Sequence, residues 1–121
     1  MEAKGLMVGN YLKKDGIIVK IDARSIFDMF NDNLKYEPIP LTEDWLVKFG
    51  YKRYESDGVV GFEYSNPEEK TVWYEKGRYS IVQWGSNTPF YFSSNLLRVE
   101  LQYVHQLQNL YFAISGKELT I

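Results

Sequence analysis

The chain has 121 residues, of which 45% are hydrophobic and 25% charged, a balance that suits a folded domain and excludes disorder. Its net charge of −2, with no run of Lys or Arg, argues against non-specific nucleic-acid binding through phosphate neutralisation. It has no Cys and one His, which excludes disulfides, thiolate nucleophiles and the common His/Cys metal cages.

The length fits a single α+β domain spanning residues 1–121. Aromatic residues reach 17%, with ten Tyr, seven Phe and three Trp, which points to an aromatic-rich β core. The first element is a hairpin. GNYLKK and IIVKIDA flank Asp15-Gly16, a dipeptide suited to a tight two-residue turn. Ile17, Val19 and Ile21 alternate with Ile18, Lys20 and Asp22, as in a strand at a sheet edge or barrel rim. Residues 24–40 read as a connection anchored by Ile26, Phe27, Met29 and Phe30 and turned by Asn31, Asp32 and Asn33.

LTEDWLVKFG predicts a short helix, with Thr42 as N-cap, acidic residues at its start and Gly50 ending it. β signals follow. YKRYES and VVGFEYS flank Asp57-Gly58, NPEEK is a turn, and TVWYE and RYSIVQW flank Lys76-Gly77. A short aromatic strand lies within GSNTPFYFSSN, and LLRVEL points Leu97, Val99 and Leu101 inward. A helix over 102–115 ends at Gly116, and KELTI reads as a final short strand. The whole is an α+β fold. An N-terminal hairpin and a short central helix lead into an antiparallel meander or partly open small barrel, and a C-terminal helix packs on the sheet.

Three surfaces merit a functional reading. At about 100° per residue, the last helix gathers Tyr103, Val104, Leu107, Leu110, Tyr111 and Ile114 on one side. Opposite them stand His105, Gln108, Asn109 and Phe112, where a large aromatic on a polar face needs cover. This face is the leading candidate for binding a protein partner or a second copy of the chain. Lys13, Lys14, Lys20 and Arg24 cluster around the first hairpin and form the nucleic-acid alternative, diluted by Asp15 and Asp22. Trp73, Tyr74, Trp84 and Tyr91 form the third, an aromatic-lined sheet for a small enzyme or glycan binder, with carboxylates drawn from Glu63, Glu75 and Glu100.

No phosphate-binding loop, GxSxG elbow or calcium loop occurs, so neither a cofactor nor a metal site is expected. MEAKGLMVGNYLKKDG lacks a signal peptide's apolar stretch, and no segment reaches the ~20 apolar residues of a membrane span. The expectation is a cytoplasmic, non-enzymatic binding or assembly protein.

VGNYLKKDGIIVKI (8–21) resembles the opening of small barrels found in translation and RNA-associated proteins. Together with PIPLTEDWLVKFGY (38–51) and YVHQLQNLYFAISGKELTI (103–121), it also resembles, in order and spacing, a group of small uncharacterised proteins. These are encoded by gut anaerobic bacteria and their phages or mobile elements. The resemblance implies a phage or mobile-element origin and a bacterial host cell. It implies no established activity, so it transfers no catalytic residue.

Overall fold

The structure is a computed structural model that describes residues 5–31, 36–57, 70–84, 88–94 and 97–121. The chain divides into two compact units, Met1–Leu41 with Tyr103–Ile121, and Thr42–Gln102. The fold is α+β, with two open antiparallel sheets and three helices among the described residues.

In the first unit, β1 (Tyr11–Lys14) and β2 (Ile17–Lys20) form the expected hairpin. Asp15 and Gly16 both take positive φ, 50° and 80°, as the turn matching strand twist requires. β3 (Tyr36–Glu37) adds to the other side of β1, so among the described residues β2 is an edge strand, as its alternation suggested.

The stretch read as a connection instead begins as a helix, α1 (Ala23–Asn31). A reciprocal cap starts it. The Asp22 carboxylate accepts the Ser25 amide at 2.8 Å, while Ser25 Oγ accepts the Asp22 amide at 3.2 Å. Ile26 and Met29, one turn apart, pack with Leu12, Val19, Ile21 and Tyr36. The exposed Phe27 masks this periodicity in the sequence.

α3 (Val104–Ser115) runs as expected and closes at Gly116 with φ 73°. Gln106 Oε1 accepts the Tyr103 amide at 3.0 Å, which secures the helix start. The buried residues of α3 are Val104, Leu107, Gln108 and Tyr111, an i, i+3, i+4, i+7 stripe. Ile114, expected on the core side, is exposed, and Gln108, expected on the polar side, is buried. The sheet that α3 packs on is the three-stranded one, through β1. KELTI does not form a strand. Its backbone is held by side chains instead: Gln108 takes the Leu119 carbonyl, and the Ile121 amide donates to the Tyr11 hydroxyl.

The second unit begins with α2 (Glu43–Lys48), which buries Trp45 and Leu46. Thr42 occupies the N-cap position, but its side chain makes no capping bond. At the other end, the Lys76 ammonium donates to the Phe49 carbonyl and satisfies a helix-terminal acceptor. The meander follows in the order β4 (Lys52–Asp57), β5 (Lys70–Lys76), β6 (Tyr79–Trp84), β7 (Phe90–Ser94), β8 (Leu97–Leu101). Lys76 pairs with Tyr79, so the β5–β6 turn is Gly77-Arg78, one residue later than expected. β4 pairs with β5. The expected hairpin partner VVGFEYS and the NPEEK turn lie outside the described residues. Tyr74, Ile81 and Phe92 stand in one cross-strand row and are buried. Arg53 pairs with Glu43 at 2.8 Å and Glu55 at 3.0 Å, tying the start of α2 to β4.

Candidate functional site

The four residues singled out on α3 have separate fates. Gln108 is buried and its amide is spent inside the protein. Oε1 accepts the Tyr11 amide at 2.9 Å, and Nε2 donates to the carbonyls of Gly9 at 3.0 Å and Leu119 at 3.1 Å. One side chain thus joins α3, the entry to β1 and the C-terminal tail. Asn109 continues this clasp. Its Oδ1 accepts from Asn10 Nδ2 at 2.8 Å and its Nδ2 donates to the Gly5 carbonyl at 2.6 Å. Asn10 Oδ1 in turn accepts the Met7 amide at 2.7 Å. Burying these polar groups requires such pairing, and the helix back supplies it.

His105 is half-buried with its ring stacked on Tyr103, centroids 5.8 Å apart and planes within 9°. Its Nδ1 is buried and has no hydrogen-bond partner among the described residues. Burial pushes its pKa below the ordinary imidazole value, which favours the neutral ring.

Phe112 remains 40% exposed. With Met7, Val8, Asn10, Asn109 and Glu118 it lines a shallow depression in the first unit. Gln108 also lines it, whereas His105 does not. Three of the four predicted residues, Gln108, Asn109 and Phe112, thus line one depression, with the two amides bonded inside the chain. Sequence reasoning missed Met7 and Val8, although an apolar pair just before Gly9 in a loop is itself a signal. Gly9 has φ 96°, and a Cβ there would come 3.0 Å from the Glu118 carboxylate. Gly9 lines the depression too, and its positive φ and close approach to Glu118 favour a residue without a side chain. The depression's cavity volume is about 20 Å³. Sites for small organic ligands usually span ~300–1,000 Å³ and bury most of the ligand.

The basic cluster is divided by strand parity. Lys13 stands opposite Ile18 and Glu37, whereas Lys14, on the other face, stands opposite Ile17 and Tyr36. Lys14 Nζ lies 5.4 Å from the Tyr36 ring centroid in a cation–π contact. Lys20 is exposed on the edge strand and Arg24 is exposed in the first turn of α1. A phosphate backbone would thus meet Lys13 beside a carboxylate and would find Lys14 on the opposite face.

The aromatic sheet is divided in the same way. Tyr54, Trp73, Val82, Tyr91 and Glu100 form one cross-strand row, while Tyr74 points to the other face and is buried. Tyr54 and Trp73 stack at 5.8 Å and 13°. Lys52 Nζ lies 5.4 Å from the Tyr54 centroid, and Trp73 Nε1 donates to Glu75 at 3.1 Å. The rings of this row are engaged with their own neighbours. Glu75 on β5 and Glu100 on β8 are three strand spacings apart, about 14 Å. Glycosidase carboxylate pairs need ~5–9.5 Å. The Trp84 side chain and Glu63 lie outside what is described.

Comparison with protein-family models, curated proteins and solved structures returned no match. Among the described residues, no cluster of three or more His, Asp or Glu side chains is arranged to hold a metal. Among the same residues, no helix is long and apolar enough to cross a membrane.

Proposed function

We propose that this chain is a non-enzymatic protein-binding or assembly module that makes its contacts through the first unit. One observation carries this reading. Of the nine exposed large apolar side chains among the described residues, eight belong to that unit and only Val47 to the other. Leaving Met7, Val8, Ile17, Ile18, Phe27 and Phe112 in water forfeits the stabilisation that burial gives, roughly 25 cal/mol per Å² of apolar surface. A protein partner recovers that term. Met7, Val8 and Phe112 already converge on one depression, the arrangement expected of an anchor site. The amides of Gln108 and Asn109 beside them are engaged by bonds within the chain.

Substituting Phe112→Asp tests the reading. The variant should keep its near-UV circular dichroism and lose partner capture or self-association seen with the unaltered chain. Retention of every such contact by both Phe112→Asp and Met7→Asp would overturn the role of this depression. Loss of the folded signal would instead place Phe112 in the core.

A further inference from the structure

We infer that the outer edge of β2 pairs with the β2 of a second copy of this chain, joining two three-stranded sheets into one of six strands. This rests on the reading of the first unit as a contact surface and names the partner for one part of it.

The hairpin register decides which backbone groups are available. Lys14 and Ile17 flank the two-residue turn and form its closing pair. Hydrogen-bonded residues then alternate, so Ile17 and Val19 direct their N–H and C=O groups toward β1. Ile21 confirms this parity: its amide donates to Asn10 and its carbonyl accepts from Gly9, both at 2.8 Å. Ile18 and Lys20 therefore present their backbone groups to the outer edge. Among the described residues no strand pairs there. The side chains along this edge are unusually apolar for an open one, with Ile17 67% and Ile18 44% exposed.

An antiparallel partner of identical sequence has three registers that match outward groups with outward groups. Placing Lys20 opposite Lys20 sets like charges directly across the ladder, which is destabilising. Placing Ile18 opposite Ile18 sets Lys20 against Gly16, a turn residue at φ 80° that cannot extend the ladder. The third register pairs Ile18 with Lys20 of the other copy, twice, and puts Val19 beside its own equivalent on the two-fold axis. Only this one uses both outward residues of each copy. It offsets the two lysines diagonally and lays each lysine's aliphatic stem along an isoleucine. It is a self-complementary, closed contact that consumes the edge.

Because the chain has no Cys, single cysteines report the register cleanly. Val19→Cys should form a disulfide-linked dimer rapidly under mild oxidation, since a residue on the axis meets its own copy in a non-hydrogen-bonded pair. Ile17→Cys should cross-link slowly despite greater exposure, because its equivalent lies four residues along, about 13 Å away. Sedimentation velocity over a concentration series should show a dimer for the unaltered chain and a folded monomer for Ile18→Lys, whose new charge faces Lys20. Equal cross-linking rates for the two cysteine variants, or a monomeric unaltered chain, would overturn the edge pairing. A dimer that survives Ile18→Lys but is lost in Phe112→Asp would also overturn it, while leaving the proposed contact role of the first unit standing.

Discussion

The side chain of Gln108 takes the place of a neighbouring strand beside Tyr11, accepting its backbone N–H at 2.9 Å. The same amide donates to Gly9 and Leu119, so one residue of α3 holds two chain segments that are far apart in sequence. Replacing it with leucine keeps the volume and leaves three buried backbone groups unpaired. A loss of about 3 kcal/mol or more is expected in urea denaturation, given ~1–3 kcal/mol per unsatisfied buried group. Asn109→Ala, at a half-buried position, should cost less. Equal losses would show that burial of the amide is not what matters.

Gly9 gives a second prediction. Alanine at φ 96° is strained by about 1–2 kcal/mol whatever surrounds it. Its Cβ would also meet the Glu118 carboxylate, which sits at the end of a flexible chain and can move aside. Gly9→Ala should therefore lower the thermal midpoint, and adding Glu118→Ala should restore little of it. Full recovery in the double variant would transfer the cost from backbone strain to the carboxylate contact.

His105 makes stability depend on pH. Burial lowers its folded-state pKa below the unfolded value of ~6.5, so the unfolded chain takes up a proton first as pH falls. The contribution of the neutral ring is fully present above pH ~6.5 and is lost as pH drops through the folded pKa. Urea midpoints measured at intervals from pH 8 to pH 5 should fall for the unaltered chain. The fall should be shallower in His105→Gln. Identical profiles would mean that other groups set the acid limb.

The start of α1 is testable by titration. Hydrogen bonds from the Ser25 amide and hydroxyl hold the exposed Asp22 carboxyl below its ordinary range. A group so shifted stabilises the fold above its unfolded pKa and loses that effect as pH falls through the folded value. Ser25→Ala should raise the Asp22 pKa seen by NMR and speed amide exchange in the first turn of α1. The double variant Asp22→Ala/Ser25→Ala should exchange no faster than Asp22→Ala alone, because both act through one cap.

Much of the architecture was legible in the sequence because its causes are local. Asp15-Gly16 specifies a turn through its φ preferences, Gly116 ends α3 for the same reason, and the alternation in LLRVEL puts Leu101 inside with Arg98 and Glu100 exposed. The division of Lys13 from Lys14 was also readable, since neighbours on a strand face opposite ways. α1 was missed because Phe27 interrupts its apolar stripe and its Asp22–Ser25 cap resembles ordinary loop chemistry.

By itself, the sequence determined a cysteine-free α+β chain with its first hairpin turn, strand periodicity and terminal helix. Only the tertiary structure decided that Gln108 and Asn109 are internal clasps, that Phe112 keeps company with Met7 and Val8, and that no strand among the described residues pairs with the outer edge of β2. The reason is range. Backbone preferences and hydrophobic period act over a few residues, whereas Gln108 meets partners 97 and 99 positions away, and no local pattern says which distant segment will bring its carbonyl there.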